Sequence, residues 1–215
     1  MLVNIIAVLA AYFIGGIPIG LWVGRMKGIP DIRKYGSGNT GATNVLRVVG
    51  VKAGIFVWVA DCLKGAGPVL LAHYVFGIDN HWWIGLIGFA AVLGHCYSPY
   101  LKFTGGRGVS TGLGMAMALS WYCGLFGLVV FFATVAITRY VSLGSVVASL
   151  SVPVMLIITH QPLPYVLGAL FAVLIIVYRH AANIARLING TERKIGQKEP
   201  PVPMSEDAAK SDEPE

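Results

Sequence analysis

The sequence predicts an all-α, polytopic integral membrane helix bundle. Of 215 residues, 56% are hydrophobic and only 12% charged, with a mean hydropathy of +0.71. A soluble domain carries about twice that charged share. Apolar stretches near the ~20 residues that cross a bilayer recur along the chain. The charges collect in the gaps between them. The length suits one bundle, read as a single transmembrane domain over residues 1–196, with residues 197–215 as a tail.

The first span runs from about Leu2 to Val23, interrupted by Gly15, Gly16, Pro18 and Gly20. Pro18 removes a backbone donor and should kink or break its last turns. The opening MLVNIIAVLAAYF has no basic n-region and no cleavage pattern, so it reads as a retained helix, not a signal peptide. A polar loop, Arg25 to Lys52, precedes a second span over Ala53 to Ile78. Asp79, Asn80 and His81 connect to Trp82 and Trp83, a pair suited to an interfacial belt. The third span covers Trp83 to Tyr97, and a glycine-rich segment, Lys102 to Thr111, follows. Val109 to Leu119 is apolar but too short to cross alone. Trp121 to Thr138 is a full span, and TRYVSLGS (Thr138 to Ser145) reads as a polar break. Val146 to Thr159 and Leu163 to Tyr178 complete the set, separated by HQPLP, whose prolines stop one helix and start another. About seven spans result, counting the short one, with cytoplasmic glycine-rich loops. Residues 197–215, rich in Pro, Ser, Lys and acidic side chains, have the composition of a disordered cytoplasmic tail.

Alternating sides from the first helix places Arg25 to Lys52, Lys102 to Arg107, Arg139 and everything after Arg179 on one face. All 16 Lys and Arg then lie on or near that face, and Asp79 is the formal charge opposite. The positive-inside rule makes the basic face cytoplasmic, with the N-terminus outside and the C-terminus inside. A five-span reading keeps both ends where they are.

Four polar elements converge on this face. The first, GSGNTGATNVLR (Gly36 to Arg47), packs three glycines, two asparagines, two threonines and a serine between apolar walls. Glycines let successive N–H groups converge on an anion, and short polar side chains add donors. Gly36, Ser37, Gly38, Asn39, Gly41, Thr43 and Asn44 form a phosphate cradle on this reading, with charge from Arg47, Arg33 and Lys34. A flexible linker would tolerate the glycines but has no need of the Asn, Thr and Arg. It is no Walker A loop, because no Gly-Lys-Ser/Thr follows a four-residue spacer. In the second element, Gly105, Gly106, Arg107 and Gly108 precede an apolar helix, whose free N–H groups and dipole favour an anion beside Arg107. The third element contributes Ser142 and Ser145. In the fourth, Arg179, His180, Asn183 and Arg186 recur at helical spacing, and His180 and Asn183 share a face. Arginines at a helix end often only snorkel to lipid phosphates, a role that His180 and Asn183 are not needed for.

Other groups take quieter readings. Asp61 and Lys64, three apart within a span, should pair with each other. His95 is a helix-end cap or a wall of the site, and His73 and His160 are outer-face residues. Cys62, Cys96 and Cys123 sit in apolar stretches at no metal-ligand spacing, as small core residues. Before the tail the basic face has only Asp31, Asp61 and Glu192 as carboxylates, too scattered for the ligand cluster of a Mg²⁺-dependent phosphotransferase. No GxSxG, HExxH or HxxxxD pattern occurs. No metal and no cofactor is expected.

GSGNTGATNVLR, GHCYSPYLKFTGGRGVST, TRYVSLGS and RHAANIARLINGTE resemble, in order and spacing, the bacterial acyl-phosphate-dependent glycerol-3-phosphate acyltransferases, over roughly Gly15 to Gly196. The resemblance implies transfer of a fatty acyl group from acyl phosphate to the sn-1 hydroxyl of glycerol 3-phosphate. Lysophosphatidic acid and inorganic phosphate result, in the first step of phospholipid synthesis. It implies Ser37, Arg47, Arg107, His180 and Asn183 as essential residues, with Thr43 and Ser145 in support. The family commonly has lysine where this chain has Arg107, and often serine where it has Gly16. The implied location is the bacterial cytoplasmic (inner) membrane. The implied partners are membrane lipid and, functionally, the soluble enzyme that forms acyl phosphate; nucleic acid is not among them. An activated acyl donor lets positioning and charge do the work, without metal or covalent nucleophile. A small transporter of an anionic substrate, built on broken helices, is the alternative. The one-sided polar motifs and lack of an internal repeat oppose it, and the missing acidic cluster opposes a CDP-alcohol phosphotransferase.

Overall fold

The computed structural model describes residues 1–197, whose regular elements are all helices, with no strand among them. Helices follow in the order α1 (Leu2–Gly16), α2 (Ile19–Met26), α3 (Ala42–Val48), α4 (Val51–Leu70), α5 (His81–Cys96), α6 (Val109–Leu119), α7 (Trp121–Thr138), α8 (Val141–Ile158), α9 (Leu163–Arg179) and α10 (Ala181–Ile188). Five segments among these residues are long and apolar enough to cross a membrane: Leu2–Met26, Val51–Val75, His81–Leu101, Trp121–Thr138 and Val141–Ile158. The pair α9 and α10, bent by 59°, makes up to six. Val109–Leu119 is helical but has 11 residues, the short element that its sequence announced. The expected tail, except Gln197, lies outside the described residues.

Breaks fall where the backbone demands them. Pro18 caps α2, and Ile17 and Pro18 interrupt the first apolar run. The polar break expected over Thr138 to Ser145 shrinks to Arg139 and Tyr140, since α8 begins at Val141. Ser145 is accommodated in the helix because its Oγ donates back to the Val141 carbonyl at 2.8 Å, which satisfies the hydroxyl locally. The first polar motif is likewise not all loop: its second half forms α3.

The core pairs α1 with α5, α4 with α6, α5 with α9 and α7 with α8. Apolar surfaces gain little from one another in lipid, so close backbone approach has to hold helices together. Between α4 and α6 that approach uses Gly65, set against the Thr111 carbonyl, and Gly114, set against the Cys62 carbonyl. Helix α6 spans about 16 Å against about 27 Å for the 18-residue α7 beside it. Its N-terminus therefore starts below the ends of its neighbours, and the shortfall opens a recess in the basic face.

A leucine at Gly114 has no room: its Cβ would collide with the Cys62 carbonyl and stand 3.0 Å from the Ala66 amide. Gly114→Leu should cost about 1–3 kcal/mol by forcing α4 and α6 apart. Thermal unfolding in detergent would register the loss as a lower Tm.

Candidate active site

The recess is a cavity of about 320 Å³ with two chemically distinct parts. Its mouth is lined by Ser37, Asn39, Thr43, Arg47, Arg107, Ser142, His180, Asn183, Arg186, Glu192 and Arg193. Its depth is walled by Trp58, Leu113, Leu128, Phe131, Val152, Ala169 and Val173. Ala169 lies about three helical turns below His180 on α9, so the apolar part reaches well into the bundle.

Asn44 builds the first wall. Buried at 1% exposure, it donates from Nδ2 to the carbonyls of Ile32 (3.0 Å) and Asn39 (2.7 Å). Its Oδ1 accepts from the Ser37 amide at 2.7 Å and the Ser37 hydroxyl at 3.2 Å. With its amide so occupied, Asn44 organises the loop and leaves Ser37, Thr43 and Arg47 on the wall. Gly36 holds a left-handed φ of +59° and packs its Cα on Asn44, so a side chain there is excluded twice. Asn39 turns inward to accept the Gly41 amide at 3.3 Å. Arg33 and Lys34 do not line the cavity; Arg33 pairs with Asp31 at 2.8 Å on the outside.

The second wall is the Gly105–Gly108 turn. The Gly106 amide donates to the His95 carbonyl at 3.0 Å. Arg179 donates from Nε to the Gly106 carbonyl (3.1 Å) and from Nη2 to the Gly105 carbonyl (2.7 Å), with its guanidinium 5.8 Å from the Tyr97 ring centre. Arg179 is thus an internal brace and not a snorkelling cation. Gly108, at φ +84°, starts α6 beside Cys96 and Ile176, and Arg107 projects to the cavity.

The third wall comes from α8 to α10. Asn183 and His180 both line the cavity, but from either side of the bend between α9 and α10, since His180 ends one helix and caps the next. His180 Nδ1 lies 2.8 Å from the Ile176 carbonyl. A carbonyl only accepts, so Nδ1 carries the hydrogen and Nε2 keeps its lone pair. Glu192, whose side chain is 6% exposed, accepts from Asn183 Nδ2 at 2.6 Å and from Arg186 Nε at 2.7 Å. Two buried polar atoms on this wall, Asn183 Oδ1 and Ser142 Oγ, complete no hydrogen bond. Buried polar groups are normally satisfied, so both mark where a ligand's polar groups belong.

The electrostatics fit the same conclusion. Burial pulls the Arg107 guanidinium down to about 10; Glu192 opposes that, while Arg186, Arg47 and Arg179 reinforce it. Arg107 remains charged at neutral pH, in the field of three other arginines and one carboxylate. Burial pushes the Glu192 carboxyl upward, but the bonds from Asn183 and Arg186, with the Ser142 side chain nearby, outweigh it and hold the group below its ordinary value.

Of the residues singled out from the sequence, Gly36, Ser37, Asn39, Gly41, Thr43, Asn44, Arg47, Arg107, Gly108, Ser142, Ser145, His180 and Asn183 line one cavity. Gly38, Gly105 and Gly106 do not. Glu192 and Trp58 had not been assigned to the site. Glu192 was findable as the last carboxylate before the tail; Trp58, inside an apolar run, carried no signal.

A sequence model described as glycerol-3-phosphate acyltransferase matches residues 5–190. The glycerol-3-phosphate acyltransferase of Nostoc sp. is 44% identical over 207 residues, covering 89% of this chain and 91% of the relative. That of Syntrophotalea carbinolica is 45% identical over 189 residues, covering 88% and 96%. Among solved structures, PlsY (YgiH), an integral membrane glycerol 3-phosphate acyltransferase, superposes in its glycerol 3-phosphate form with a TM-score of 0.86 at 40% identity, covering 90% of this chain and 96% of that one. Its lysophosphatidic acid form gives 0.83 at 39% identity, covering 90% and 95%. With its recessed two-part cavity and matches along nearly its whole length, this chain belongs to the glycerol-3-phosphate acyltransferase family.

Proposed function

We propose that the protein transfers a fatty acyl group from acyl phosphate to the sn-1 hydroxyl of glycerol 3-phosphate, releasing lysophosphatidic acid and inorganic phosphate. The observation that carries this reading is the joining, in one cavity, of an arginine-rich mouth to an apolar depth. Two phosphorylated substrates need the former and an acyl chain the latter. The glycerol 3-phosphate and lysophosphatidic acid forms of PlsY support both halves.

Arg47 and Arg107 neutralise the two phosphates, and Ser37, by turning its hydroxyl from Asn44 Oδ1 to the ligand, stabilises charge at the acyl carbonyl or the departing phosphate. Asn183 Oδ1 and Ser142 Oγ take the glycerol hydroxyls, which would satisfy both. His180 Nε2 is the acceptor for the attacking hydroxyl's proton. The new C–O bond forms as the acyl carbon's bond to the phosphate oxygen breaks, and the expelled phosphate finally takes the proton. Glu192 keeps Asn183 oriented and Arg186 in place. Because the donor is already activated, holding the two substrates together and excluding water supplies most of the catalysis.

The one-sided basic charge supports an orientation with the mouth facing the cytoplasm in a bacterial inner membrane, N-terminus outside and C-terminus inside. Glycerol 3-phosphate enters from the cytoplasm, and a soluble acyl-phosphate-forming enzyme supplies the donor. Residues 1–196 act as one catalytic domain.

Purified protein assayed with acyl phosphate, acyl-CoA and acyl carrier protein donors should release phosphate and form lysophosphatidic acid with the first alone, insensitive to chelator. Turnover with acyl-CoA alone overturns the donor assignment. Arg47→Ala and His180→Ala should each reduce kcat/KM by at least about 100-fold with the protein still inserted and monodisperse. A fully active variant removes that residue from the site. Glu192 adds a pH signature. Its folded-state pKa is depressed, so its stabilisation is complete above the ordinary value of 4.5 and is lost as pH falls through the lower folded value. Thermal scans across that acid range should show Glu192→Gln less stable at neutral pH, with the gap to wild type closing below pH 4.5.

A further inference from the structure

A further polar cluster reaches the wall of the same cavity, which Asp61 and His95 also line, within the span region, where ionisable groups are costly and call for a reason. Asp61 and Lys64 of α4 and His95 of α5 are all buried, at 2%, 6% and 8% exposure. The Lys64 ammonium uses all of its three hydrogens. Nζ stands 2.7 Å from Asp61 Oδ1, 2.8 Å from the Ile17 carbonyl at the break between α1 and α2, and 3.3 Å from His95 Nδ1. An ammonium has no acceptor, so Nδ1 of His95 must receive and the ring proton must sit on Nε2.

The tip of that ring meets the second phosphate loop. A Cβ on Gly106 would collide with His95 Nε2, and one on Gly105 with the His95 carbonyl. The same carbonyl already receives the Gly106 amide at 3.0 Å. The two glycines therefore answer to His95 rather than to the anion, which explains why neither lines the cavity. Arg179 pulls their carbonyls from the other side. The loop is gripped between His95 and Arg179, and Arg107 leaves it toward the mouth.

We propose that Asp61, Lys64 and His95 form a buried positioning triad that sets the Gly105–Gly108 loop, and with it Arg107, for the phosphate of one substrate. None of the three is a catalytic residue. The Asp61–Lys64 pair fixes the imidazole's tautomer and height, and the imidazole fixes the loop. The proposal rests on the phosphate-loop reading given above, so its test carries Arg107→Ala as a reference.

The measurements are KM for each substrate, kcat and thermal stability in detergent, for His95→Ala, His95→Gln, Arg107→Ala and the double variant Asp61→Asn/Lys64→Met. The double variant removes both charges together, since removing one would strand the other in the bundle. His95→Ala and the double variant should raise KM for the substrate affected in Arg107→Ala by at least about tenfold, leaving the other KM within about twofold. His95→Gln, which keeps an acceptor for Lys64 and a donor at the tip, should recover most of the loss. If Arg107→Ala changes neither KM, the phosphate-loop reading fails. If Arg107→Ala does but His95→Ala does not, or if both KM values rise and kcat falls in step with stability, the triad is only structural and the proposal is overturned. The wild-type protein gives a test independent of folding: nitrogen-15 NMR of labelled histidine should show His95 protonated at Nε2, and protonation at Nδ1 overturns the proposal.

Discussion

Irregular backbone inside a membrane bundle has to be satisfied by the protein itself, because lipid offers no hydrogen bonds. The guanidinium of Arg179 on the carbonyls of Gly105 and Gly106 meets this demand for the turn that precedes α6. Without it, two carbonyls would face the bundle unpaired, and α6 would have to begin higher, where its neighbours end. The brace allows the helix to start low, and the low start makes the recess. The same pair of bonds holds the Gly105 and Gly106 carbonyls, and Arg107 is what an anion in the cavity meets. The depth of the site, its sign and its walls follow from one side chain's fork, a geometry that lysine could not supply.

That geometry concentrates charge in a place of low effective dielectric. Arg47, Arg107, Arg179 and Arg186 act on one another, with Glu192 as their counter-charge. Such an arrangement is poor for stability and good for binding phosphate, since each repulsion is relieved when an oxyanion arrives. Glu192 is placed to limit the cost. It takes Arg186 and Asn183 with separate oxygens. The strap that carries it is fastened at its far end by reciprocal bonds between Arg139 and Ile195, at 2.8 and 3.0 Å.

Much of this is legible in the sequence. Long apolar runs and one-sided charge imply a membrane bundle, and the four polar motifs imply that their side chains meet. What stayed hidden depended on partners far along the chain. Asn44 reads as a ligand in GSGNTGATNVLR, yet its contacts with Ile32, Asn39 and Ser37 consume its amide. Arg179 reads as a lipid anchor because nothing local announces carbonyls more than 70 residues away. TRYVSLGS reads as a break because a serine's bond to its own helix is invisible in hydropathy. Asp61 and Lys64 were recognisable as a pair from their spacing, but not that Lys64 also holds the break in the first span and the ring of His95.

The glycines make the same point more sharply, because one residue type serves two unrelated needs. Gly36 and Gly108 sit at positive φ, where the chain reverses and any side chain is strained. Gly105 and Gly106 have no such requirement; they are small because His95 occupies the space a Cβ would need. A glycine-rich phosphate motif is therefore partly a record of backbone conformation and partly a mould of its support. Read as the first kind alone, GGRG describes a flexible nest waiting for an anion. Read with His95 and Arg179 in place, it is a clamped turn whose shape is set before substrate arrives. An enzyme that relies on placing two substrates together, and not on a covalent intermediate, needs that rigidity in its walls.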